Sequence, residues 1–493
     1  MSDPSHFDGS QPNSKEWVLE AETEYRFELD PGTSLAIKLI QGHAEVFGAE
    51  LAEGQTYLFG SECKAAVFTW QGCTLQISRP STEYISEETP MTAYANLHMA
   101  FEQMRVRALR VLRGSPASDD DPNANAEPPS ILVLGPENSG KTTICKILTN
   151  YAVRMGQDWA PLLVNVDPSE GAWSIPGTVS AAAVRGPIAT ASPANPLGCA
   201  ATSAPTVLAS NALIPLIYWY GQADTKRNPR LLDRLIRNLG INIAERYDND
   251  PEARASGLVV DTPSSLAAGP SSGSSPDSRH TLIKACVDAF RINIIVIVGH
   301  EKLNVEMQRI YGGHLTVVKI PKSGGVVELD HAYRERVHKY QLHTYMYGQK
   351  IDSPLGISSG IVGGEAAADL ILSPSSSIVK FGDLTIYRIG EETMAPSSAL
   401  PIGATRALSE MQPTVLNPTS SGSGLLNRVL AMLAPFNPDE SERYDEEILD
   451  LHVVGFLVIT SLDVSSKKMT ILAPNQGSLV GKTAIVGSFE WQE

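Results

Sequence analysis

Residues Ile131–Leu148 read ILVLGPENSGKTTICKIL, and this stretch decides the fold. A run of apolar residues enters Gly135, and Gly135 to Thr142 satisfies G-x-x-x-x-G-K-[ST] without a mismatch. Glycine is needed at both ends because the chain must turn through conformations that a β-carbon forbids, so that successive N–H groups point at phosphate oxygens. The predicted nucleotide-binding set is therefore Gly135, Asn138, Ser139, Gly140, Lys141, Thr142 and Thr143. Lys141 supplies a point charge to the β- and γ-phosphates, Thr142 is the expected Mg²⁺ ligand, and a helix beginning near Thr143 adds its positive N-terminal end.

Outward from the loop, strand and helix signals alternate. PLLVNVD, SGLVVD and INIIVIVGH are continuous apolar runs, as in a parallel sheet covered on both faces, whereas RLLDRLIRNLGINIAERY and HTLIKACVDAF are amphipathic. The reading is a doubly wound α/β domain. Two of its strands end in acids, Asp167 and Asp261, either of which could orient Mg²⁺ through water or accept a hydroxyl proton; each could equally cap the loop that follows.

Before this domain, short β-rich runs such as YRFEL, SLAIKLI and AAVFTW predict a small sandwich-like domain, and a helix is expected over Asn96–Arg113. After it, SIVKFG, LTIYRIG, VVGFLVITSLDV, KMTILAP and TAIVGSFEW predict a β-rich α/β domain with LLNRVLAML as a helical candidate. The expected organisation is a disordered terminus over 1–16, an N-terminal β domain over 17–95, a central P-loop domain with a mostly parallel sheet over 96–348, and a C-terminal domain over 349–493. Ser/Pro/Gly/Ala-rich stretches at 114–130, 186–206 and 262–279 are expected to be mobile loops, since their composition cannot bury a core. HTYMYG and YWYGQ are expected to be packed strand and loop aromatics, and Lys322 either approaches phosphate or sits in a structural turn.

Composition narrows the function. A chain of 493 residues is long for one hydrophobic core. No apolar run approaches the roughly 20 residues of a membrane span and the start of the chain is polar, so a soluble, non-secreted protein is expected. A formal net charge of −16 repels a nucleic-acid backbone at long range, leaving any RNA contact to a local basic cleft. Cys63, Cys73, Cys145, Cys199 and Cys286 lack metal or disulfide spacing and are expected to be buried thiols.

YANLHMAFEQMR, GPENSGKTTICKILTNYAVR, DPSEGAWSIPG from Asp167, and above all IPKSGGVVE followed by TYMYG resemble the polynucleotide 5′-hydroxyl kinase family. The branch they are most like is the ATP-binding Clp subunits of the pre-mRNA cleavage and polyadenylation factor, cleavage factor IA in fungi. The likeness covers nearly the whole chain. It implies ATP and Mg²⁺ between the first two domains, with Glu24 of ETEYRF and Lys64 of CKAAVFTW on the base side; read alone, both are ordinary surface charges. It also implies a nucleus-located protein. The partners it implies are the scaffold subunit that binds the RNA polymerase II tail, docked mainly on the central domain, and other 3′-end processing subunits, with RNA contacted indirectly or weakly.

Active relatives transfer the ATP γ-phosphate to an RNA 5′-hydroxyl, and this sequence departs from their pattern at three places. Their Asp-x-Gly-Gln-Gly reads Asp167-Pro168-Ser169-Glu170-Gly171 here, which keeps the base but adds a rigid proline and a negative charge. Their Asn-Thr-x-Gly-Trp, whose tryptophan stacks on RNA, reads Asp261-Thr262-Pro263-Ser264-Ser265. Their arginine-rich lid keeps Arg334 and Arg336, but continues with His338, Lys339, Gln341 and His343. The expectation is a protein that holds ATP without transferring its phosphate. The alternatives are a working RNA 5′-hydroxyl kinase, with Asp167 as catalytic base, and a different P-loop switch or remodelling enzyme.

Overall fold

The computed structural model of the chain describes residues 14–78, 80, 82–114, 126–194, 196–197, 215–268, 276–357, 360, 369–390, 411–420, 423–436, 445–474 and 477–492. The described residues form three domains, each with its own sheet system.

The N-terminal domain is an antiparallel sandwich of a four-stranded and a five-stranded sheet. Alternation along Thr23–Glu28, Leu35–Gly42, Lys64–Thr69 and Cys73–Ser78 sends Tyr25, Phe27, Ile37, Leu39, Val67 and Leu75 into one core between them. Its first strand begins at Ser14, inside the stretch expected to be disordered; residues 1–13 lie outside the described residues. The polar chain there is recruited by edge pairing of Ser14–Leu19 with Cys73–Ser78.

Among the described residues seven α-helices follow: α1 (Met91–Leu112), α2 (Lys141–Arg154), α3 (Pro229–Asn249), α4 (Pro251–Ala255), α5 (Pro276–Ala289), α6 (Glu301–Tyr311) and α7 (His331–Tyr347). The central sheet has seven strands, in the order Leu216–Trp219, Thr178–Ala183, Leu162–Asn165, Leu258–Asp261, Ser130–Leu134, Ile294–Val298, Thr316–Ile320. The last five are mutually parallel, and the first two join antiparallel at one edge. Ser130–Leu134 is central, and the side chains of Leu132 and Leu134 pack into the core under α3 and α5 while Ile131 and Val133 pack under α1 and α2. A strand buried on both faces has no polar face to show, which is why its sequence reads as a continuous apolar run.

The expectation of mobile loops fails in two places. Ile188 and Leu197 are buried in the core under α1 and α2, and Ile188 exchanges hydrogen bonds with Asn150 in both directions, at 2.7 and 3.0 Å. Likewise Thr262 and Leu266 are buried, Ser264–Leu266 forms a single 3-10 turn, and α5 begins at Pro276. A few apolar residues inside a polar composition are enough to anchor each segment. The remainder of both stretches, and residues 115–125 of the third, lie outside the described residues.

The C-terminal domain holds a seven-stranded sheet, from Ser375–Lys380 at one edge to Pro413–Val415 at the other. LLNRVLAML is not a helix: Arg428–Leu433 is a central strand. Val429, Ala431 and Leu433 face one core and Leu430 and Met432 another, and an apolar run buried on both faces carries no period that separates strand from helix. HTYMYG is also misplaced by the sequence reading, since it forms the last turns of α7, which ends at Gly348 with φ +80°. Cys63, Cys73, Cys145 and Cys286 are buried and free, as expected; Cys199 lies outside the described residues. Among the described residues no helix is long and apolar enough to cross a membrane, and no cluster of three His, Cys, Asp or Glu side chains could hold a metal by itself.

Candidate functional site

The loop after Ser130–Leu134 has the geometry its glycines predict. Asn138 and Gly140 take positive φ, +51° and +85°. A β-carbon on Gly135 would lie 2.7 Å from Ser139 Oγ, and one on Gly140 would lie 3.1 Å from Val326 Cγ2. Helix α2 starts at Lys141, two positions before the expected Thr143, and its N-cap Gly140 offers no side chain, so among the described residues the first-turn N–H groups carry no side-chain cap. Ser139 Oγ donates to Pro136 O at 2.8 Å and Lys141 Nζ donates to the same carbonyl at 3.1 Å.

Of the two acids, Asp261 is the one brought to the loop. Thr142 Oγ1 donates to its Oδ2 at 2.5 Å, while its Oδ1, also buried, has no hydrogen-bond partner among the described residues. Burial pushes the Asp261 carboxyl up to about 6, against the opposing pull of Lys141 and the Thr142 hydroxyl. A half-satisfied carboxylate beside a threonine hydroxyl suits a hydrated divalent cation, and uncapped N–H groups with a lysine suit a triphosphate. The residues present therefore fit Mg²⁺ and a nucleoside triphosphate. Asp167 is differently placed: its Oδ1 accepts from both the N–H (3.0 Å) and the Oγ (2.6 Å) of Ser169.

A cavity of about 320 Å³ opens from this loop toward the N-terminal domain. That volume lies in the range of roughly 300–1,000 Å³ typical of small-molecule sites. Asn138, Ser139, Gly140, Lys141, Thr142 and Thr143 line it, together with the apolar Phe47, Phe68, Met91 and Tyr94. Glu24 and Lys64 line it as well, so neither is an ordinary surface charge. Glu24 is buried and accepts from Arg26 Nε at 2.7 Å and from the Thr89 hydroxyl. Lys64 is half-buried, pairs with Glu28 and sits 5.8 Å from the Tyr333 ring centroid.

The IPKSGGVVE motif closes the rim. A β-carbon at Gly325 would meet Arg26 Nε at 2.6 Å, so glycine there permits the N-terminal domain to rest on this turn. Lys322 points elsewhere: it is exposed, and Ser323, Gly325 and Val326 line the cavity instead.

Helix α7, the lid of the family resemblance, makes contacts in all three domains. Arg334 Nη2 donates to Asn138 Oδ1 at 2.7 Å and stands 3.0 Å from Glu137 Oε1, while Nη1 lies 3.7 Å from Glu170 Oε1. Arg336 forks onto Glu62 of the N-terminal domain at 2.6 and 3.0 Å. His338 Nε2 lies 2.7 Å from Ser169 O, and Gln341 Nε2 donates to Glu170 O at 2.8 Å. Further along, Tyr345 Oη accepts from the Phe456 N–H at 3.0 Å, and His343 and Tyr347 stack with Trp491 of the C-terminal domain. Leu342, Tyr345 and Met346 share a core with Phe456, Ile485 and Phe489.

Burial, Asp167 and Asp261 together push Glu170 upward, with Arg334 and Lys141 opposing. A third of its side chain remains exposed (34%), so solvent screens much of that effect. Where active relatives place a stacking tryptophan, Ser265 Oγ shares a 2.7 Å hydrogen bond with Thr225 Oγ1. Sequence reasoning missed the apolar lining of the cavity and Tyr333, because a cavity-facing side chain in a strand or helix looks like any core residue until the domains are assembled.

Three matches to known families cover most of the chain: an N-terminal beta-sandwich domain of polyadenylation factor over residues 18–108, the mRNA cleavage and polyadenylation factor CLP1 P-loop over 135–348, and the pre-mRNA cleavage complex II protein Clp1 over 372–493. The chain is 73% identical to the mRNA cleavage and polyadenylation factor CLP1 of Laccaria bicolor, over 97% of this chain and 98% of the relative. It is 32% identical to the protein of the same name from Mycosarcoma maydis (96% and 98%) and 30% identical to the Protein CLP1 homolog of Arabidopsis thaliana (99% and 98%). Among solved structures, the fold is similar to a wild-type Clp1p–Pcf11p complex, with TM-score 0.75, 22% identity, and coverage of 98% and 99%. It is also similar to one described by an extended Pcf11p–Clp1p interface and by ATP loss in a glycine-to-arginine point mutant, with TM-score 0.76, 21% identity, and coverage of 98% and 100%.

Proposed function

This chain belongs to the Clp1 family of mRNA cleavage and polyadenylation factors, and from that premise we propose that it holds ATP and Mg²⁺ as a structural subunit and does not transfer the phosphate. The observation that carries the reading is the fastening of α7. Through its Nη atoms Arg334 is held by Asn138 and Glu137, with Glu170 at 3.7 Å, and Arg336 is held by Glu62, so both lid arginines already serve protein groups, while the buried Arg334 Nε finds no partner among the described residues. Phosphoryl transfer needs cations free to follow the migrating group, and an acceptor held in line with it. Here the acceptor side carries the Glu170 carboxylate, and Asp167 is turned onto Ser169.

The phosphate side supports the reading. Lys141, Thr142, Asp261 and the uncapped start of α2 supply the interactions that a Mg²⁺-bound triphosphate requires. When bound, the ion would neutralise phosphate charge beside Thr142 and Asp261. A nucleotide in the cavity would touch the N-terminal sandwich, the phosphate loop and the turn at Ser323–Gly325 at once, so its binding free energy would stabilise their arrangement by mass action. Such a subunit would present a fixed surface in the nucleus to a scaffold of the Pcf11 type. Retention of a buried Asp167 close enough to Asp261 and Glu170 to act on both favours, as the second reading, an RNA 5′-hydroxyl kinase with that residue as base.

The test is the nucleotide content of protein purified without added ligand. Intact ATP near one equivalent, lost in Lys141→Ala, is expected. Nucleotide-free, folded wild-type protein would refute the reading.

A further inference from the structure

Lys146 lies one turn beyond Thr142 on α2, is 4% exposed, and lines the cavity. An ammonium carries three N–H donors. Among the described residues it finds the neutral Thr190 hydroxyl, at 2.8 Å, and no carboxylate within ion-pair distance. The Phe47 ring centroid lies 5.9 Å from Nζ, and the Cys63 thiol is close enough to act on the ammonium. Burial draws the ammonium down to about 8, with Cys63 acting in the opposite sense. An uncompensated buried cation costs several kcal/mol, and such a cost is retained where a ligand makes use of the charge.

Its position says which part of a ligand it meets. Lys141 already serves the phosphate loop, and Lys146 is five residues further along the helix, about 7.5 Å along its axis. The same cavity is lined by Phe47, whose ring is the one nearest Lys146, and by Phe68 and Met91, apolar groups suited to an aromatic base. The acceptor that holds Lys146 is itself fixed. Thr190 belongs to the segment that Asn150 clasps at Ile188, whose Ala191 carbonyl accepts from the Gly60 N–H at 2.7 Å, and whose Ser192 hydroxyl accepts from Gln349 at 2.8 Å.

We propose that Lys146 reads the nucleobase, donating from its ammonium to a ring nitrogen of the base while Thr190 holds it in place. This rests on the nucleotide reading above and adds to it a residue that sets which nucleoside is held. Lys146 is then a specificity-determining group, separate from the triphosphate-binding set.

Titration calorimetry on the full chain tests the assignment, with Mg·ATP and Mg·tripolyphosphate as ligands of wild type, Lys146→Met and Lys146→Arg. The expected result is a roughly tenfold or greater loss of ATP affinity in Lys146→Met, unchanged tripolyphosphate affinity, and partial retention in Lys146→Arg. A lysine that merely ties down the 186–197 segment would lower both affinities together, or only the melting temperature, and either result overturns the proposal. Wild-type protein is also compared with 1-deaza-, 3-deaza- and 7-deaza-ATP, which needs no variant to fold. One of these should bind at least about tenfold more weakly than ATP, and equal binding of all three overturns the assignment. Wild-type protein that binds ATP with no dependence on Lys146 sinks this inference alone, whereas protein that binds neither ATP nor tripolyphosphate sinks the nucleotide reading and this inference with it.

Discussion

Asn138 Oδ1, at the crest of the phosphate loop, accepts a 2.7 Å hydrogen bond from the Arg334 guanidinium on α7. The same guanidinium stands 3.0 Å from Glu137, so lid and loop are joined beside the cavity. Arg334→Ala removes both contacts while leaving the apolar side of α7 in its core. Release of a fluorescent ATP analogue is expected to accelerate about tenfold, equivalent to about 1.4 kcal/mol, in keeping with the loss of charge-assisted hydrogen bonds at a partly exposed site. Stopped-flow displacement measures it, and the ligand-free melting temperature should hardly move.

The far end of the lid makes a different prediction. Trp491 is 4% exposed and stacks with His343 and Tyr347, in the core that unites α7 with the C-terminal sheet. Trp491→Ala should cost about 3–5 kcal/mol of stability by leaving a cavity. It should also speed nucleotide release, because α7 loses a support it shares with Arg334. Chemical denaturation and the same displacement assay report the two effects separately; an unchanged release rate would show that the C-terminal domain does not restrain the lid.

Asp261 fixes a pH dependence. Its folded carboxyl sits at about 6, above the ordinary 3.8, so the ligand-free native state holds this proton more tightly than the unfolded chain. That contribution to stability is fully present below about pH 4 and is lost as pH rises through 6. Binding of Mg·ATP runs the other way, since the ion requires the carboxylate: affinity should fall as pH drops through about 6. Asp261→Asn should flatten the first profile and abolish Mg²⁺-dependent affinity. Melting curves and calorimetry between pH 5 and 8 provide both profiles, and identical profiles for wild type and variant would remove Asp261 from the ion site.

Much of the site was legible because it is local. Gly135 to Thr142 specify their own backbone path, and Asp261 follows from the strand that ends in it. The partnership of Asp261 rather than Asp167 with Thr142 was not legible: both acids follow buried strands, and only the sheet order, which sets Leu258–Asp261 beside Ser130–Leu134, separates them. Lys146 and Phe47 were silent for a related reason. A lysine among apolar helix positions reads as a solvated face until the N-terminal sandwich covers it. The two errors in element type, Arg428–Leu433 and the HTYMYG end of α7, arise where burial or aromatic content hides the period that distinguishes strand from helix.

The central claim is that the triphosphate is held and not passed on. Wild-type protein carrying ATP labelled in the γ-phosphate, mixed with a 5′-hydroxyl oligoribonucleotide and followed over hours, tests it most directly. The account predicts that the label stays in protein-bound ATP and that none reaches the RNA. Labelled RNA formed by wild type and absent with Lys141→Ala would contradict it.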